Sequence, residues 1–216
     1  MPISYKLNTI FVHIPKTGGS SIERALDTVL EDQFYSPDRA KNINLPFICN
    51  KLNPSEYEQC INRCPQHFTL NQLKTILPET IYTNFYKFTI VRNPYDRLVS
   101  EFYFRKNIYN TVKDPNSNFP IFKKLIDCLE LPQLERIINF DAHLEPQYTF
   151  INEDINDIFY FEKIQECFDK LKTKNIHILK SNNRKPYQEY YTKELQDKVY
   201  AFYLEDFIKF GYNYNM

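Results

Sequence analysis

The sequence predicts an α/β fold, a mostly parallel central sheet flanked by helices. Two observations lead there. Short apolar runs suited to strands buried on both faces alternate with segments of helical spacing, and twice such a run passes through a turn directly into a helix start. A chain of 216 residues, 43% of them hydrophobic, supplies one well-buried core, so a single domain over residues 1–216 is expected.

Thr9 to Ile14, "TIFVHI", is an apolar run before a turn and predicts the first strand, and Ile22 to Leu30 follows with helical spacing. Residues 31–64 are mixed and proline-dotted, which predicts loops with short helices. Phe68 to Ile76 reads as a helix with Thr69 or Asn71 as its cap. Tyr86 to Val91, "YKFTIV", is the second strand, and Asn93 with Pro94 then supplies a cap and first-turn pair for a long helix. Beyond a polar loop at 113–118, a helix is expected over Pro120 to Leu129. A third strand is expected over Ile155 to Phe161, an amphipathic helix over Glu162 to Lys172, and a short strand over Asn175 to Leu179. A last helix runs from Lys193 to Phe210, stopped by Gly211.

Lysine plus arginine equal aspartate plus glutamate at 27 each, which argues against an overall attraction to nucleic acid or anionic lipid. No apolar run reaches the roughly 20 residues of a membrane-spanning helix, and the N-terminus lacks the order of a signal peptide. A cytoplasmic protein with no integral membrane segment is expected. The five cysteines lack framework spacing and read as free thiols; Cys60 and Cys64 have no second pair to complete a zinc site.

Two stretches carry the chemistry. In "FVHIPKTGGSS", Phe11 to Ser21, two of the only three glycines follow a buried strand and open a helix. Such glycines let backbone amides approach an anion, and a helix start favours negative charge. Lys16 adds a positive charge, and Thr17, Ser20 and Ser21 add hydroxyls. The nucleotide loop G-x-x-x-x-G-K-[ST] places its lysine after the glycines, whereas Lys16 precedes Gly18 and Gly19, so this is a different anion loop. A magnesium-holding acid at a strand end would fall to Glu162, which serves equally as a helix-start carboxylate. In "VRNPYDRLVS", Val91 to Ser100, Arg92 leaves a strand end and Ser100 lies about two turns along the helix. An arginine fork with a hydroxyl alongside suits a dianionic phosphate. Arg97 is read as structural, paired with Asp96 or another carboxylate.

Together, "HIPKTGGSS" and "FTIVRNPYDRLVSEFYF" resemble the two donor-binding motifs of the sulfotransferases, most closely the branch of carbohydrate and heparan sulfate 2-O-sulfotransferases. The likeness continues in order through "HLEPQYTFI", "IFYFEKIQECFDKL" and "KSNNRKPYQEYYTKEL". It implies a P-loop-like sulfotransferase fold and 3′-phosphoadenosine 5′-phosphosulfate as co-substrate, with no metal required. It implies further that Lys16, Thr17, Gly18, Gly19, Ser20 and Ser21 cradle the 5′-phosphosulfate while Arg92 and Ser100 take the 3′-phosphate. Ser181, Arg184 and Lys185 fall in the loop that covers the nucleotide in that family. His67 resembles the family's catalytic histidine in its place before the second strand; the alternative is a surface or capping histidine. His13 is expected to support the loop, His143 and Gln147 are candidates for facing the acceptor, and no role attaches to His177.

The reaction expected is transfer of a sulfuryl group to a hydroxyl, with Lys16 and His67 as the catalytic pair. A net charge of zero does not advertise a broad basic surface for a heparin-like polyanion. A neutral glycan, a glycolipid head group or a small hydroxylated metabolite fits at least as well. An ATP-dependent small-molecule kinase on a related fold is the alternative activity, and a binding module without turnover is a third reading.

Overall fold

The computed structural model describes residues 3–26, 65–112, 121–130, 140–173 and 184–216. Among them the strands are β1 (Ile3–Ser4), β2 (Thr9–Val12), β3 (Tyr86–Val91) and β4 (Asp157–Tyr160). The α-helices are α1 (Gly19–Ala25), α2 (Leu70–Ile76), α3 (Glu79–Asn84), α4 (Pro94–Val112), α5 (Phe122–Asp127), α6 (Ile164–Leu171), α7 (Lys193–Phe202) and α8 (Leu204–Phe210). The chain forms two compact units, one from residues 1–91 and 149–179, the other from 92–148 and 180–216.

The first unit holds the sheet, in the order β1-β2-β3-β4, with β1 antiparallel and the other two pairings parallel. This is the mostly parallel sheet flanked by helices that the sequence predicts. Phe11 lies opposite Phe88 and Ile90 opposite Phe159. The Phe11 and Phe88 rings stack at 5.1 Å, and α1 and α6 close that face with Ile22, Leu26 and Phe168. Lys87 is a charged residue in a buried strand, and its ammonium donates to the carbonyls of Tyr82 and Phe85 at 2.7 and 2.8 Å. It satisfies the C-terminal end of α3, and burial lowers its pKa.

Several boundaries differ from expectation for local reasons. β2 ends at Val12, and α1 begins at Gly19 rather than Ile22 because the glycine turn runs straight into helix. Of the two caps proposed for α2, Thr69 is the one used: its hydroxyl accepts from the Gln72 amide while the Gln72 side chain accepts from the Thr69 amide, a capping box. β4 is shorter than predicted, and a 3-10 turn at Phe161–Lys163 precedes α6. β1 and α3 were not predicted; two residues of strand and six of helix carry too little periodicity to read. The loops over residues 31–64 and 113–118, the end of the first predicted helix and the strand over 175–179 lie outside the described residues.

The second unit is helical. Asn93 caps α4 as expected, its side-chain oxygen accepting from the Tyr95 amide at 2.9 Å. Leu98, Phe102, Phe122, Leu125, Val199 and Phe207 bring α4, α5, α7 and α8 into one core. The predicted last helix is two helices, broken at Tyr203. The buried Tyr203 hydroxyl donates to the Leu144 carbonyl at 2.8 Å, and its backbone leaves helical geometry. Gly211 ends α8 in the left-handed region, as predicted.

Phe88→Ala is expected to cost about 3–5 kcal/mol by removing a fully buried ring from the central strand. Thr69→Ala should cost about 1 kcal/mol. Denaturant unfolding of the two variants checks both magnitudes and their order.

Candidate functional site

β2, β3 and β4 run parallel, so their C-terminal ends share one edge of the sheet. From β2 the chain enters the turn that carries Lys16; from β3 it continues into Arg92; from β4 it continues into Phe161. Lys16 and Gly18 both adopt left-handed backbone, at φ 68° and 88°. A lysine there is uncommon and strained relative to glycine. Thr17 is fully buried and donates its hydroxyl proton to the Ile14 carbonyl at 2.8 Å, tying the turn to the strand end. Lys16, Ser20 and Ser21 are half-buried, and Gly18 stands at the N-cap of α1 with the Ser21 amide donating to its carbonyl.

The two glycines have separate causes. A Cβ on Gly18 would meet the Phe161 ring at 3.0 Å and Ile164 at 3.1 Å, besides the left-handed φ. A Cβ on Gly19 would land on the His13 imidazole, at the Nε2 and Cδ2 edge. His13 cannot give way easily, because its Nδ1 lies 2.7 Å from Glu23 Oε1 and both residues are buried. Glu23 is itself gripped by Gln66, whose side-chain amide donates to both carboxylate oxygens at 3.0 and 2.7 Å. A carboxylate accepts, so His13 Nδ1 donates to Glu23, and Nε2 faces Gly19.

Gln66 neighbours His67 on the 3-10 turn Pro65–His67, and the His67 ring meets the His13 ring edge-on at 4.9 Å. His67 is buried, and the cap of α2 belongs to Thr69, so the surface and capping roles are both set aside. Within the first unit the structure thus gathers the lysine turn, His13 and His67 around Glu23. Neither Glu23 nor Gln66 was singled out from sequence. No spacing announces them, since Gln66 lies 43 residues from its partner.

The second unit places Arg92, Ser100, Arg184 and Lys185. Gln147 is fully buried: its Oε1 accepts from the Arg92 amide at 2.9 Å and its Nε2 donates to the Arg92 carbonyl at 2.8 Å. The Gln147 amide therefore pins the backbone of Arg92. Asp206 holds that segment in turn, accepting from the Gln147 and Tyr148 amides at 2.8 Å each. Burial raises the Asp206 carboxyl above its ordinary value, against the opposing pull of those amides.

The Arg92 guanidinium pairs with Asp96 through Nε and Nη2, and Arg184 pairs with the other oxygen of the same carboxylate. Arg97 is structural as expected but with other partners: its two Nη groups donate to the carbonyls of Glu145 and His143 at 2.8 and 3.0 Å. His143 is buried, with Nδ1 2.7 Å from Glu101 Oε2, and Glu101 also receives Arg105 Nε at 2.6 Å. Ser100 is half-buried on α4, and Lys185 is exposed and pairs with Glu189 at 3.1 Å. Ser181 and His177 lie outside the described residues.

Gly19→Ala should lower stability by about 1–3 kcal/mol through overpacking against the imidazole. In the Gly19→Ala, His13→Ala double variant the loss should be at least about 1 kcal/mol smaller than the sum of the two single losses, measured by denaturant unfolding. Simple additivity would count against the steric cause.

Neither the curated proteins nor the solved structures contain a match to this chain. The family model described as "Sulfotransferase family" does match, over residues 3–213, and that span includes the lysine turn, Arg92 and Arg184. The chain belongs to the sulfotransferase family.

Proposed function

We propose that this protein transfers the sulfuryl group of 3′-phosphoadenosine 5′-phosphosulfate to a hydroxyl, with a carbohydrate as the leading acceptor, as one sulfotransferase domain spanning residues 1–216. The observation that carries the reading is the run from β2 through Lys16 and the two glycines into α1, in a chain whose family performs sulfuryl transfer. The donor set suits that co-substrate. Arg92 and Arg184 are largely buried and meet at Asp96, and paired guanidinium forks suit a phosphate.

In this reading the start of α1, with Lys16, Thr17, Gly18, Gly19, Ser20 and Ser21, holds the 5′-phosphosulfate. Arg92 and Ser100, with Arg184, Lys185 and Ser181, hold the 3′-phosphate. The acceptor oxygen forms a bond to sulfur as the bond from sulfur to the bridging phosphate oxygen breaks. Lys16 stabilises the negative charge that gathers on that oxygen. His67 takes the proton from the acceptor hydroxyl, and no metal is needed for either task. His13, fixed by Glu23 and Gln66, supports both the loop and His67, and His143 remains the second candidate for the acceptor side.

The acceptor is a hydroxylated glycan, a glycolipid head group or a small metabolite, given the balanced charge of the chain. Among the described residues no helix is long and apolar enough to cross a membrane. The cysteine usage supports a reducing, cytoplasmic setting; Cys167 is buried, and burial pushes its thiol up to about 12.

Calorimetric titration with adenosine 3′,5′-bisphosphate and with Mg-ATP tests the donor. The bisphosphate should bind more tightly, and tighter Mg-ATP binding would favour a kinase instead. With labelled donor and a panel of hydroxylated acceptors, His67→Ala should retain bisphosphate binding while transfer falls by about 10² or more. Lys16→Ala should lower transfer by about 10²–10³. Undiminished transfer in His67→Ala would move the base to His143.

A further inference from the structure

We infer that Asp96 is a positioning residue that gathers the Arg92 and Arg184 guanidiniums into one receptor for a phosphate monoester, and so sets the preference for a nucleotide bearing a 3′-phosphate. The inference rests on the donor reading above and adds to it a residue that a phosphate-binding motif would not be expected to contain, an acid.

Arg92 and Arg184 reach Asp96 from distant parts of the chain: Arg92 is four residues before it, and Arg184 is 88 residues after it. Asp96 Oδ2 receives Arg92 Nε at 2.8 Å and Nη2 at 2.7 Å, two donors on one oxygen. Its Oδ1 receives Arg184 Nη2, which also reaches the Asp96 main-chain carbonyl at 3.4 Å. The three side chains are only 8%, 16% and 11% exposed, for Arg92, Asp96 and Arg184 in turn. Two guanidiniums sharing a partly dry space repel each other, and bulk water is not there to screen them. Burial, and then the charge of Arg92, lower the Arg184 guanidinium to about 10.

One carboxylate between two guanidiniums offsets their mutual repulsion. It holds the forks together, and a phosphate monoester dianion is the chemistry that two converging forks recognise. The position on the helix agrees. Asp96 lies in the first turn of α4 and Ser100 four residues later, so carboxylate and hydroxyl share one helix face. A first-turn acid also stabilises a helix start, but that task requires no burial between two arginines.

The test compares dissociation constants of adenosine 3′,5′-bisphosphate and adenosine 5′-monophosphate for the full chain by calorimetry. Wild type should prefer the bisphosphate, and absence of any preference would overturn the donor reading itself. Given that preference, Asp96→Asn should lower the ratio of the two constants by at least about fivefold, chiefly by weakening the bisphosphate. Asp96→Glu, which keeps the charge, should recover part of it. A smaller loss in Asp96→Asn, or a gain because the carboxylate had been competing with phosphate, overturns the inference and leaves Asp96 a helix-start residue. Should Asp96→Asn fail to fold, Asp96→Ser decides. Its ratio should fall by at least about fivefold, and a smaller fall overturns the inference.

Discussion

The parallel pairing of β2 with β3 is the constraint on which the rest depends. It is held by the stacked Phe11 and Phe88 rings, with α1 and α6 closing the face they share. Because the two strands run the same way, the lysine turn and the residue that precedes Arg92 leave the sheet at one edge. An antiparallel pairing would have sent them to opposite edges.

Around the lysine turn, rigidity comes from packing behind the loop rather than from the side chains in front of it. Phe161 and Ile164 occupy the space beside Gly18, and the His13 imidazole occupies the space beside Gly19. Glu23 and Gln66 then fix the imidazole, and Gln66 stands next to His67 in the chain. A buried carboxylate is tolerable here because its lone pairs are met by an amide and an imidazole. The same residues that shape the loop therefore hold the candidate base.

The second unit solves a related problem with other polar groups. Arg92 needs a fixed backbone, which Gln147 provides, and Gln147 needs a fixed segment, which Asp206 provides. Arg97 holds the carbonyls of His143 and Glu145 in the same stretch. Each buried polar atom in this series meets a partner of opposite character. That condition lets a charged network stay inside a helical core without a large desolvation penalty.

The sequence by itself determined the strand class of 9–12 and 86–91, the cap and start of α4, the stop at Gly211 and the family. These features are local, written in apolar runs, in Asn-Pro and glycine positions, and in the order of lysine and glycines. Only the tertiary structure decided that His13 is the reason for Gly19, and that Gln147 serves Arg92. It alone decided that Arg97 holds carbonyls, that the last helix breaks at Tyr203, and that Glu23 and Gln66 belong near the loop. Those facts join residues 43 to 59 positions apart, or depend on how a buried ring is accommodated. Asp96 falls between the two. Its spacing from Arg92 was legible in the motif, yet the chain had first to fold for Arg184 to arrive from 88 residues away.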